Sequence, residues 1–482
     1  MPSEVRKIVI AGTGPSAAAA AVAMAASLQG SGNSITLLLS PDPTISRSVE
    51  VFRGGPQGFH TRLGIEESGL CQQTNAVYGM GTRYRGLSGL NDDVFVPLGS
   101  HGKTLRLVDF HHYVAKLRAE DGDQEFNAWS AAATAARTGR FDPAQVDIEP
   151  ALRLFEYDVY VDTDSYLDAM LAHASGMGVR IVRQSPLSAK LNSTGVIESV
   201  TLDDGSSLHG DFFVDCSEDR SLVRHVASDD EFCDWSSWLA CDRLVSLSAN
   251  AQPTPRLFTS IEAHDAGWMS KLSTGTRAAG WSVYASSSSN DDQAVDQLAR
   301  WLPGAAPEDA QATRFRSGRY SRHWEKNCVA IGPAAAALAP MEVSPLQLAH
   351  NAILRLLAML PRRKHSSMLA AEYNRMANAE IDSVRDYQLL RSAVTTRQAG
   401  RFWQQAQLTQ WPDSLQRRVD LFRSRGRFTP RDHEFFTKSN WVSSFINFGI
   451  WPEAHDPLAD MIDEQRMRVD LIRFRKSLQS RS

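Results

Sequence analysis

A glycine turn set between an apolar strand and an alanine-rich helix constrains this chain more than any other stretch. Ile8-Val9-Ile10 leads into Gly12-Thr13-Gly14-Pro15-Ser16-Ala17, and a helical pattern then runs to Leu28. That order predicts the first βαβ unit of an α/β fold that holds a dinucleotide. Gly12 permits the tight turn. Gly14 has no Cβ, so a pyrophosphate can approach the backbone. Ala17 in the third place still lets helix and strand pack closely. The helix N-terminus then offers unpaired N–H groups and a positive dipole end to the anion. An ordinary strand-to-helix turn is the competing reading. The next strand, Ser34 to Leu39, ends in Leu39 and Ser40 where an acid for the ribose hydroxyl is expected; Asp42 just beyond is the substitute.

At 482 residues the chain exceeds one compact core, so one large domain or two interleaved ones are expected. A formal charge of -4 gives no pull toward polyanions, and nucleic-acid binding is not expected. The five cysteines, Cys71, Cys216, Cys233, Cys241 and Cys328, show no CxxC spacing. This fits a reducing, cytoplasmic setting without metal clips or a disulfide framework. Ile8 to Leu28 is apolar enough to suggest a membrane segment. The glycine turn interrupts it and alanine favours insertion little, so no span is expected.

From Pro41 to Gly102 the chain is rich in Gly, Ser, Asp and Asn, which predicts long loops of the kind that line a site. Phe110 to Leu117 and Phe126 to Arg140 read as helices. Ser165 to Gly176 reads as a helix with Gly176 as its C-cap. Val179 to Val214 alternates like a β-meander and runs into Asp215-Cys216-Ser217, at the strand end that faces the ligand crevice of an open α/β sheet. Leu244 to Ser286 is β-rich, and Asn327 to Gly332 is a further buried strand. Ser344 as N-cap and Pro345 in the first helical position begin a helix to Leu360. Glu372 to Ser482 reads as mainly helical.

Taken in order, these segments resemble the flavin-dependent tryptophan halogenases. The resemblance is carried by Ile8 to Ala17, GDFFVDCS at Gly210 to Ser217, LACDRLVSLSA at Leu239 to Ala249 and AGWMSKL at Ala266 to Leu272. It continues through WEKNCVAIG at Trp324 to Gly332, LAPME at Leu338 to Glu342, EYNR at Glu372 to Arg375, and Gly426 to Glu453. It implies a glutathione-reductase-type, Rossmann-like FAD-binding module with an inserted β-sheet and a helical C-terminal cap over an aromatic-substrate pocket. Here the module takes residues 1–360, interleaved with β-rich substrate-side segments at about 50–110 and 240–320, and the cap takes 361–482. The resemblance also implies FAD held at Gly12, Gly14, Ala17 and Gly332, and a separate flavin reductase as partner. In the family, reduced FAD, oxygen and halide generate an oxidant. A lysine beside the substrate relays it, and a glutamate places the electrophile and takes the ring proton. A WxWxIP motif keeps flavin and substrate apart.

The departures fall on those working parts. Glu342 stands at the glutamate position as candidate general base; the competing reading is a helix-start carboxylate. The lysine position holds Gly79, and the nearest cation in sequence is Arg83. Gly79 reads either as room for a larger substrate or as a backbone requirement. The tryptophan motif has become Trp268-Met269-Ser270-Lys271-Leu272-Ser273. Ile45 to Glu50, Glu218 and Pro333 to Ala337 put bulky or charged residues where bare backbone is expected to touch the cofactor, which is unfavourable. Trp268, Trp441 and Trp451 are candidate stacking surfaces for the substrate, against the commoner core role. His111 and His112 are consecutive and so point to different helix faces, and no metal is expected. The expected function is a flavin-dependent oxidoreductase acting on an aromatic, indole-like small molecule or peptide, by hydroxylation or oxidation rather than lysine-dependent halogenation. The alternatives are a genuine halogenase using Glu342 with a non-standard partner, and a flavin-deficient homologue serving as a binding subunit.

Overall fold

Six strands build the central sheet in the order Trp324–Glu325, Cys328–Ala330, Phe212–Cys216, Lys7–Gly12, Ser34–Leu39, Arg180–Val182. All pair in parallel except the outermost, Trp324–Glu325. Inner parallel strands are covered on both faces, which is why Ile8 to Ala11 and Phe212 to Val214 are apolar without alternation and wholly buried. The computed structural model describes residues 4–479 apart from 41–47, 88–91, 106, 144–155, 218–219, 221, 227–230, 252–254, 363–365 and 398. Asp42, Ile45 to Arg47 and Glu218 therefore lie outside the described residues.

The helix Pro15–Ser27 packs against two others, Thr163–Gly176 and Pro345–Ala358, as well as the sheet. Ala17 to Ala25 are buried on every side. Alanine is the residue that lets three elements close on one helix at once. Thr163–Gly176 ends where expected, but Gly176 is not its C-cap. Met177 takes that place, and the left-handed residue is Gly178, at φ +83.

Two further sheets carry the residues discussed below. A seven-stranded sheet runs Gln311–Arg314, Arg243–Asn250, Arg277–Tyr284, Gly267–Ser273, Thr259–His264, Gly81–Arg85, Asp93–Pro97. The early segment joins the later one through a parallel pairing of Gly81–Arg85 with Thr259–His264. Beside it lies an antiparallel sheet of Val49–Arg53, Asp158–Asp162 and Val77–Gly79. The chain closes with the helices Ser367–Val394, Arg401–Leu408, Asp413–Arg425, Lys438–Asn447 and Glu464–Gln479. Among the described residues no helix is long and apolar enough to cross a membrane.

Candidate functional site

Gly12, Gly14, Ala17 and Gly332 meet at the carboxyl end of the central sheet. A Cβ on Gly12 would stand 2.8 Å from that of Ala17 and 2.9 Å from that of Cys216, so the turn has no room for a side chain. Gly14 is the N-cap of the helix that follows; no side chain caps that helix, and no acid lies in its first turn. Pro15 carries no N–H and Ala17 N donates to Gly14 O at 3.1 Å, which leaves the Ser16 N–H of the first turn for an external acceptor. Gly332 adopts φ +65, a conformation that favours glycine, and its ideal Cβ position would lie in ordinary contact with Ser16 Oγ at 3.8 Å and Ala349 Cβ at 3.9 Å. Gly12→Ala is expected to cost about 1–3 kcal/mol of stability by overpacking and to weaken FAD uptake. Thermal denaturation with and without FAD reads both.

A second helix head, that of Pro345–Ala358, is closed by its own residues. Ser344 and Gln347 form a capping box. Ser344 Oγ donates to Val51 O at 2.7 Å, the neighbouring Glu50 carboxyl accepts from the Leu346 backbone, and burial pushes it up to about 7. Gln347 Nε2 donates to Asp158 Oδ1 at 3.0 Å, and Arg53 Nε lies 3.0 Å from the same oxygen.

Glu342 precedes this helix and lies in a cluster drawn from four elements. Tyr84 donates its hydroxyl to Glu342 Oε1 at 2.8 Å. Arg391 Nε lies 2.8 Å from that oxygen, and the Arg391 side chain is wholly buried. The guanidinium sits among the rings of Tyr84, Tyr387 and Phe448 at 5.0, 4.5 and 4.8 Å. Its Nη2 donates to Ser444 Oγ at 3.2 Å. Burial raises the Glu342 pKa, and Arg391 and Tyr84 oppose that rise. The segment is pinned from behind by Gln388 Nε2, which donates to Ala339 O at 2.9 Å. Sequence reading missed Tyr84 and Arg391. The only trace was the spacing of Tyr387 and Arg391, four apart on one helix face. Arg83, the nearest cation in sequence to Gly79, points to the opposite face of its strand from Tyr84 and pairs with Asp93.

The other candidates divide. Trp268 is buried in one cluster with Tyr84, Met341 and Phe448, close to Glu342. Trp441 is not a stacking surface: it is wholly buried, edge-on to Tyr387 at 4.9 Å and 4.3 Å from the Arg418 guanidinium. Trp451 packs on Arg118 at 4.7 Å and Phe126 at 6.3 Å, away from the partners of Glu342. Lys271 is a structural residue that donates to Trp301 O at 3.0 Å. Gly79 does not open space, because the Tyr160 ring fills it; a Cβ at 79 would lie 2.6 Å from Tyr160 Cε1, with Cζ and Oη closer still.

His111 and His112 do not diverge as expected: their ring centroids lie 4.2 Å apart, with Asp109 beside them. The donor set still does not suit a metal. His111 Nε2 donates to Gly426 O at 2.7 Å, His112 Nδ1 accepts from the Asp456 N–H at 3.2 Å, and Asp109 holds Lys438. One ring lone pair, on His111 Nδ1, is left.

The family model for tryptophan halogenase matches residues 7–464. Tryptophan 7-halogenase RebH of Lentzea aerocolonigenes is 25% identical over 509 residues, covering 98% of this chain and 94% of RebH. Tryptophan 7-halogenase KtzQ of Kutzneria sp. (strain 744) is 27% identical over 342 residues, 66% of this chain and 63% of its own length. The solved structure of BrvH, a flavin-dependent halogenase from Brevundimonas sp. BAL3, is similar at TM-score 0.91 and 28% identity, over 98% of this chain and 96% of BrvH. Flavin dependence makes FAD the cofactor, and the uncapped helix head behind the side-chain-free turn at Gly12 and Gly14 fits its pyrophosphate. Matched from its first strand to its last helix, the chain belongs to the tryptophan halogenase family.

Proposed function

We propose that this chain is a flavin-dependent oxidoreductase that hydroxylates or otherwise oxidises an aromatic, indole-like small molecule or peptide without a lysine relay. One observation carries the reading: Tyr160 fills the space that a side chain at position 79 would enter, so the amine is gone and its room is taken. FAD supplies the oxidising chemistry when bound, and a separate reductase supplies it reduced. The chain contributes the base. Tyr84 and Arg391 hold Glu342 by Oε1, which leaves Oε2 to take a proton from the ring. Gly12, Gly14, Ala17 and Gly332 hold the cofactor, and Trp268 backs the substrate side.

The test supplies FAD, a flavin reductase and an aromatic substrate in halide-free buffer. Oxygenated or dehydrogenated product is expected, with Glu342→Gln losing at least about 100-fold in rate while FAD binding persists. Strict dependence on chloride or bromide would overturn the reading. It would favour a second one, a halogenase in which Arg391 is the partner of Glu342; the 2.8 Å approach of that guanidinium is its support. Protein that takes up no FAD would instead point to a binding subunit.

A further inference from the structure

Three buried polar atoms of the Glu342–Arg391 pair have no hydrogen-bond partner among the described residues: Glu342 Oε2 and the Arg391 nitrogens Nε and Nη1. Oε2 accepts and the two nitrogens donate; Nε still lies 2.8 Å from Oε1 as an ion-pair contact, which Nη1 lacks. Oε1 accepts from Tyr84 and Nη2 donates to Ser444. Both side chains are shut away, Arg391 at 0% and Glu342 at 5% exposure. Nε and Oε1 are in contact, so covalent geometry keeps Nη1 and Oε2 within about 7 Å of each other. The rings of Tyr84, Tyr387 and Phe448 pack against the guanidinium. A buried donor and a buried acceptor left unmet are each costly, and a ligand that answers both removes both costs.

We propose that Glu342 and Arg391 together select a hydroxylated aromatic substrate. Its hydroxyl oxygen accepts from Arg391 Nη1, while its hydroxyl proton or ring N–H is donated to Glu342 Oε2. Plain indole brings a donor only and leaves Nη1 stranded. A site built around a substrate hydroxyl discriminates against the analogue without it far more than an apolar slot does. This rests on the aromatic-substrate reading above and names its class.

The test is binding without turnover. Indole and 5-hydroxyindole are titrated separately into FAD-loaded protein and followed by calorimetry. 5-Hydroxyindole is expected to bind at least about tenfold more tightly. Arg391→Met is expected to abolish the preference. Arg391→Lys keeps a charge beside Glu342 without the planar fork; it serves where the methionine variant fails to fold, and its preference is expected to fall at least about fivefold. Equal binding of the two probes overturns the proposal, and so does binding of neither, which would mean that water alone meets the two atoms. Intact discrimination in a protein that never turns over would sink the oxidoreductase reading and leave this one standing.

Discussion

Gly79→Lys is expected to destabilise the protein by at least about 3 kcal/mol, the upper end of what overpacking usually costs. Backbone strain plays no part, since Gly79 has no positive φ. The cost is volume. Val77–Gly79 lies against Asp158–Asp162, with Val77 opposite Tyr160 and Gly79 opposite Asp158. Side chains two apart share a face, so a side chain at 79 and the Tyr160 ring compete for one space. Tyr160 cannot swing clear cheaply. It is packed among Val49, Val51, Leu272 and Ala279, and its hydroxyl shares a 3.0 Å hydrogen bond with Thr259 Oγ1. The pairing makes a coupled test. Tyr160→Gly alone leaves a cavity and is expected to cost about 3–5 kcal/mol. Combined with Gly79→Lys it is expected to cost at least about 2 kcal/mol less than the sum of the singles, because each change relieves the other. Urea denaturation of the four proteins measures this. Simple additivity would show that something other than Tyr160 excludes the lysine.

What was legible in the sequence was what acts over a few residues. Gly12 and Gly14 declare a turn because the constraint lies in their own backbone. Ser344 and Pro345 declare a helix start because capping closes within one turn. The family resemblance extended that local reading across the chain. What stayed hidden was each contact set by pairing between distant segments. Tyr84 and Glu342 are 258 residues apart, and nothing near either one points to the other. The Tyr160 ring reaches Gly79 only through a strand register that a sequence does not display. Helix geometry alone sets consecutive His111 and His112 apart, but their side chains turn together over Gly426. In the sequence Trp441 reads either as a surface for substrate or as core, because aromatic residues serve both roles. Only its neighbours place it in the core.

Arg391→Met is expected to cost about 3–5 kcal/mol at neutral pH, because removing one partner of a buried pair strands the other. The pH dependence separates charge from packing. Burial already lifts the Glu342 pKa above its usual 4.5, with Arg391 and Tyr84 as the opposing influences. Without Arg391 the rise is larger. Other titratable neighbours are Tyr84 from the strand Gly81–Arg85 and Tyr387 from the helix Ser367–Val394, and burial raises both well away from neutrality. A carboxyl whose folded pKa exceeds its unfolded one binds more protons when folded. Its folded state is therefore favoured below the unfolded value, and the advantage is lost as pH rises through the folded value. The deficit of the variant against wild type should thus be smallest near pH 4.5 and grow until Glu342 is ionised in the variant. Urea denaturation from pH 4.5 to 8 measures that slope. Adding Glu342→Gln to Arg391→Met should flatten it, since no charge is left to strand. The part of the deficit that survives at low pH belongs to the lost contacts with Tyr84, Tyr387 and Phe448. A deficit with no slope at all would mean that Arg391 is held for its packing, and that the charge of Glu342 depends on something else.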